Sequence, residues 1–184
     1  MGNSGQTLAR RLGKTEHVSV LRFRIRALMR QYPAAGTGCI EDWLVAAANG
    51  RGARVVVPPD GPSASFAPPP LSAFSNEDLV VAICQLECLD RPQMLRLAAQ
   101  LISRGAVDLK LLQLSGERER VEPVLAELAR QALKVEPLHP VWRHIFDWYR
   151  NERPLREPLL HWTRLAEPLM KDGRCNAAGW RLVA

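Results

Sequence analysis

Residues 123–133 read PVLAELARQAL, and this stretch decides the fold class. Leu125, Leu128 and Ala132 recur at intervals of three and four residues, the spacing that places side chains on one face of an α-helix. Together with Val121 and Leu133 they predict a long helix over about residues 118–135, with the apolar stripe turned towards a core.

A second stretch of similar composition precedes it. Residues 92–102 read PQMLRLAAQLI, and its Pro, Leu, Ala and Gln coincide with those of the first stretch at four positions with an offset of 31 residues. A period near this length is typical of two-helix repeats. Residues 132–142, ALKVEPLHPVW, also resemble the junction between two tetratricopeptide repeats, which implies a short α-helical repeat array. A multi-helix bundle, in which Ala- and Leu-rich helices look alike, is the alternative, and both alternatives predict a mainly α fold.

Further helices are predicted around these stretches. Ser75 and Asp78 have the spacing of a capping box, which predicts a helix from there to about Cys88. Asp90 and Pro92 are suited to the start of the next helix, and Gly105 to its end. A short segment follows over 108–114, and the later periodic segments predict helices over 141–150 and 157–171.

The chain before residue 75 has a different character. Two helices are predicted, over His17–Tyr32 and Cys39–Asn49, followed by a short strand or hairpin over Ala53–Val57 because β-branched residues favour extended structure. Residues 58–70, PPDGPSASFAPPP, contain six prolines, which exclude a helix or a central strand. The predicted division is therefore a basic N-terminal unit (1–57), a Pro-rich linker (58–74) and a helical domain (75–184).

The net charge lies entirely in the N-terminal unit. Residues 1–57 carry nine basic and three acidic side chains, which accounts for the full net charge of +6. A basic front on a neutral body favours an anionic partner, either a nucleic acid or an acidic protein. Two short helices and a Val-rich strand also resemble a winged helix-turn-helix, although its third helix is missing. The candidate residues for binding an anionic partner are Arg10, Arg11, Lys14, Arg22, Arg24, Arg26 and Arg30.

The cysteines and histidines indicate neither a metal site nor a catalytic set. Cys84 and Cys88 are four residues apart and would share a helix face, but no second closely spaced pair of ligands accompanies them. Buried core cysteines are the favoured interpretation. The sequence contains no phosphate-binding loop, dinucleotide-binding motif or nucleophile elbow. We therefore predict no metal, no cofactor and no enzymatic activity.

Nothing in the sequence predicts a membrane segment. No run of about 18 apolar residues occurs, and the first 30 residues lack the apolar stretch of a secretory signal. Reduced cysteines in the cytoplasm are the expected state.

Four tryptophans in the C-terminal half could form a protein interface or belong to the core. Tryptophan is common both in interface hot spots and in small cores. The candidate interface residues are Trp142, Trp148, Trp162 and Trp180. The function predicted from the sequence is a non-catalytic helical interaction or assembly module that binds a protein partner or another copy of itself. The alternative is a nucleic-acid-binding protein that uses the basic N-terminal unit.

Overall fold

The computed structural model describes residues 19–34, 38–53, 67–85, 93–154, 169–171 and 174–176. These residues form seven helices and one short antiparallel pair of strands, so the prediction of a mainly α fold is confirmed. The helices are α1 (Val20–Gln31), α2 (Ile40–Gly50), α3 (Asn76–Gln85), α4 (Gln93–Ser103), α5 (Leu109–Arg118), α6 (Glu122–Leu133) and α7 (Pro140–Trp148). The strands are β1 (Leu169–Lys171) and β2 (Arg174–Asn176).

The predicted long helix from about residue 118 is wrong at its start. A turn over residues 119–121 separates α5 from α6, and Arg120 adopts a left-handed conformation there with φ of 58°. The backbone N–H of Val121 returns to the carbonyl of Gly116 at 2.9 Å, which closes the end of α5. A Cβ atom on Gly116 would lie 2.9 Å from the side chain of Leu125, so the glycine permits α5 and α6 to approach closely.

The end of the last predicted helix is also wrong. Leu169–Lys171 is a strand that pairs with Arg174–Asn176, in a register that places Met170 opposite Cys175. The intervening residues are Asp172 and Gly173, a dipeptide that favours two-residue hairpins. The helical spacing of the leucines led to the prediction of a helix, although the Asp-Gly dipeptide favours a hairpin. The earlier part of that predicted helix lies outside the described residues.

Helix α3 lies at the centre of the packing. Eight consecutive residues from Glu77 to Cys84 are buried, and α3 contacts α1, α2, α4 and α5. An element that is covered on all sides holds its neighbours in place. The remaining helices are joined to this centre by contacts of α5 with α6, of α6 with α7, and of α7 with α4. The choice between a bundle and a repeat array stays a prediction.

Residues on both sides of the Pro-rich segment contribute to one hydrophobic cluster. The ring of Trp43 in α2 packs on Phe74, which precedes α3, with ring centroids 5.4 Å apart. Ala53, the first residue of the predicted strand, is buried, while the rest of that strand lies outside the described residues. The predicted division of the chain at residue 57 stays a prediction.

The predicted capping box is present at the start of α3. The backbone N–H of Asp78 donates to Ser75 Oγ at 3.1 Å, and the backbone N–H of Ser75 donates to Asp78 Oδ2 at 3.2 Å. These bonds satisfy two donors that would otherwise lack partners at the start of the helix.

Among the described helices none has the length and apolarity needed to span a membrane.

Two leucines provide a matched test of this packing. We expect Leu79→Ala to lower the free energy of unfolding by about 2–5 kcal/mol, because Leu79 is fully buried in α3 and the truncation leaves a cavity. Leu71→Ala should change it by less than about 0.5 kcal/mol, because Leu71 is 60% exposed. Urea unfolding followed by tryptophan fluorescence measures both values. Equal effects of the two substitutions would contradict the central placement of α3.

Candidate functional site on the first helix

Helix α1 has one side in the core and one side in solvent. Ser19 starts the helix because its Oγ accepts the backbone N–H of Arg22 at 3.1 Å. Leu21, Ile25 and Leu28 form its buried stripe, with the spacing of four and three residues that one helix face requires. Pro33 cannot continue the helix, and the backbone N–H of Tyr32 closes the last turn on the carbonyl of Leu28 at 2.7 Å.

The opposite side of α1 carries both apolar and basic side chains. Val20 is 67% exposed and Phe23 is 63% exposed, and their spacing of three residues places the two apolar side chains next to each other on the surface. Arg26, Ala27 and Arg30 follow Phe23 at spacings of three, four and seven residues, so all of them lie on the same side of the helix. We call these five residues, Val20, Phe23, Arg26, Ala27 and Arg30, the outer face of α1.

The four predicted arginines that the structure describes do not form one cluster. Arg26 and Arg30 are exposed on the outer face, whereas Arg22 is half-buried at its margin. Arg24 points to the other edge of the helix, where its Nη1 lies 3.0 Å from Asp78 Oδ2 and its Nη2 donates to the carbonyl of Ala73. Arg10, Arg11 and Lys14 lie outside the described residues.

Arg51 has a structural position that the sequence did not reveal. Its guanidinium donates to the carbonyls of Phe74 and Ser75, the latter at 2.8 Å, and its Cζ lies 5.3 Å from the centre of the Phe74 ring. Burial of this group lowers the pKa of Arg51 from its ordinary value. Arg51 therefore fixes the segment that leads into α3. A Gly-Arg-Gly sequence carries no local signal for these long-range contacts.

Other buried charged groups bind the ends of helices. Glu119 is 3% exposed, and its Oε1 accepts the backbone N–H of Leu21 at 3.2 Å, in the first turn of α1. Gln85 of α3 donates to Glu119 Oε2 at 2.7 Å and accepts from Ser19 Oγ. A carboxylate at a helix N-terminus is stabilised by the backbone donors and by the helix dipole. This set of contacts holds α1 against the turn between α5 and α6.

The predicted interface tryptophans occupy different environments. Trp142 is completely buried, and its Nε1 donates to Ser103 Oγ at 2.9 Å. Trp148 is half-buried and packs edge-on against the ring of His144, with centroids 4.7 Å apart. Trp162 and Trp180 lie outside the described residues. Because Trp142 is buried, it does not form an exposed surface together with Trp148, the other tryptophan of this set that the structure describes.

The thiol of Cys84 is buried in α3, and Cys88 lies outside the described residues. Within the described parts of the chain, no three His, Cys, Asp or Glu side chains are grouped closely enough to hold a metal ion.

Tyr149 is also buried, and loss of solvation, together with the nearby Glu117, raises its pKa. Its hydroxyl has no hydrogen-bond partner and lies near Gly116 in the packed contact between helices.

An open groove lies between the end of α4 and the start of α7. Its volume is about 740 Å³, and it is lined mainly by apolar atoms. Leu138, which is 78% exposed, lies in its wall beside Pro137 and Pro140. The groove and the outer face of α1 are thus two places on the described part of the chain where exposed apolar groups could serve binding.

Comparison with known proteins adds no relative, because no family model, curated protein or solved structure matches the chain.

Two arginines on α1 test the separation of its sides. We expect Arg24→Gln to lower the free energy of unfolding by about 1 kcal/mol, because Asp78 is buried and loses a charged partner that is itself partly exposed. Arg26→Gln should leave stability within about 0.5 kcal/mol of the original, because Arg26 is exposed. Thermal and urea unfolding provide the comparison. If the two variants were equally stable, Arg24 would not have a structural role.

Proposed function

We propose that this chain is a non-catalytic helical interaction module that binds an acidic protein partner through the outer face of α1. The observation that carries the proposal is the exposure of Phe23 beside Arg26 and Arg30 on one side of a helix whose other side is anchored in the core. Aromatic and arginine side chains are the residue types enriched at energetically important positions of protein interfaces. The proposal assigns no catalytic step and no cofactor.

The energetics of the outer face favour a partner with apolar as well as acidic groups. Full burial of an exposed Phe or Val side chain contributes about 1.5–3 kcal/mol. Phe23 and Val20 are three residues apart, so one partner surface can cover both. Arg26 and Arg30 would then form the polar rim, where carboxylates of the partner accept their hydrogen bonds. A purely polar polyanion would leave the two apolar side chains without partners.

The described arginines are few for nucleic acid binding. Each neutralised phosphate contributes a slope of about −0.9 in the logarithmic dependence of affinity on salt, and established binders make roughly 6–10 such contacts. Of the four arginines of α1, Arg22 is half-buried and Arg24 is paired with Asp78, which leaves Arg26 and Arg30 on the outer face. The nucleic-acid alternative would therefore depend on Arg10, Arg11 and Lys14 in addition, and it stays the second candidate.

The remaining predictions belong to the same proposal. A second copy of this chain, with its net charge of +6, fits the outer face less well than an acidic protein does. The proposed location is the cytoplasm. In that compartment we expect the cysteines to stay reduced.

Site-specific photo-crosslinking in living cells tests the proposal. A photoreactive phenylalanine analogue replaces Phe23 in one variant and Leu71 in a control variant, since both side chains are exposed to a similar extent. We expect Phe23 to yield a discrete adduct with an acidic protein that mass spectrometry identifies. Adducts with nucleic acid would favour the second candidate. Adducts of equal abundance from both positions would contradict a dedicated surface.

Substitutions on the outer face should then separate binding from folding. We expect Phe23→Ala and the double variant Arg26→Glu/Arg30→Glu each to weaken the identified complex at least about tenfold, because each removes one component of the surface. The melting temperature should change little, since these residues are exposed. Leu111→Ala, on an exposed part of α5, is the matched control. Calorimetric titration measures the affinity, and unchanged affinity in the α1 variants would overturn the assignment.

A further inference from the structure

His139 lies between two helix ends and is bonded to both. It immediately precedes α7, where its Nδ1 accepts the backbone N–H of Trp142 at 3.4 Å. On the other side of the ring, Nε2 lies 3.2 Å from the carbonyl oxygen of Ser103, the last residue of α4. The ring is almost completely enclosed, with 7% of the residue exposed. One side chain thus caps the start of one helix and the end of another.

These contacts require one form of the imidazole. The start of a helix presents N–H donors and needs an acceptor, whereas its end presents carbonyls and needs a donor. The neutral ring with its hydrogen on Nε2 supplies both, because Nδ1 is then an acceptor. A protonated ring has two donors, so its Nδ1–H would face the N–H of Trp142. We propose that His139 is a proton-sensitive latch, which joins α4 to α7 when neutral and releases the first turn of α7 when protonated.

The charged groups around the ring act in different directions. Glu136 Oε2 lies 4.0 Å from Nε2 and attracts the protonated ring. This attraction acts on the side of Ser103 and restores no acceptor to Trp142. Arg104 of the α4 end lines the same groove and donates to the carbonyl of Gly52, and Arg143 lies exposed one turn into α7. A positive ring at the start of α7 is also opposed by the helix dipole.

Release of the latch would alter the groove between the two helices. Ser103, His139 and Leu138 all line the groove, so its width depends on the contact that His139 makes. Trp142 would keep its own bond from Nε1 to Ser103 Oγ. The expected change is therefore local opening of the first turn of α7 rather than unfolding of the core. Such a device would couple the shape of an apolar surface to pH.

Nuclear magnetic resonance of the full chain tests the proposal. At about pH 7.5, long-range proton–nitrogen spectra should show the His139 ring with its hydrogen on Nε2. On lowering the pH to about 5.5, the exchange of the Trp142 amide, corrected for its intrinsic rate, should accelerate about fivefold or more, as expected for the loss of one helix cap. A hydrogen on Nδ1 at the higher pH would overturn the proposal.

Two variants separate the latch from general effects of acid. His139→Asn keeps a good capping acceptor that does not titrate, so protection of Trp142 should become independent of pH. His144→Asn removes a histidine that packs on Trp148 and should leave the acceleration unchanged. If His139→Asn retained the same acceleration as the original chain, another group would be responsible and the proposal would be wrong.

Discussion

The first turn of α3 is the point on which the packing of this chain depends. Asp78 completes the capping box with Ser75 and also forms an ion pair with Arg24 of α1. Glu77 accepts the backbone N–H of Asp108, at the start of α5, at 2.5 Å. Two buried carboxylates therefore connect three helices. Buried carboxylates require such partners, and the loss of one partner leaves an uncompensated charge in the interior.

The same arrangement recurs where other helices end. Glu119 binds the start of α1 from the turn after α5, and His139 bridges the end of α4 and the start of α7. Apolar burial alone would tolerate small rotations and shifts between Ala- and Leu-rich helices. Polar contacts at helix ends are directional, so they restrict the helices to one arrangement. The interior polar residues of this chain thus determine position, while the apolar side chains supply the burial.

Local features of the fold were predictable from the sequence, and long-range ones were not. The buried stripe of α1 and the capping box at Ser75 depend on residues three or four apart, so their spacing is visible in the chain. The bond of Glu119 to Leu21 spans 98 residues, and in sequence Glu119 looks like one charge in an exposed run. The candidate site was predicted in part for the same reason. Its arginines were visible, but only the packing of α1 on α3 separates Arg24 from Arg26 and exposes Phe23.

Arg24 and Arg26 are only two residues apart, but substitutions at these positions are constrained differently. Substitutions at Arg24 lower the stability of the fold, because its partner is an interior carboxylate. Substitutions at Phe23 or Arg26 change the stability little, because both side chains project into solvent. The proposed binding surface can therefore diverge while the scaffold is preserved. Duplicated copies of such a chain could acquire separate partners through two or three neighbouring codons.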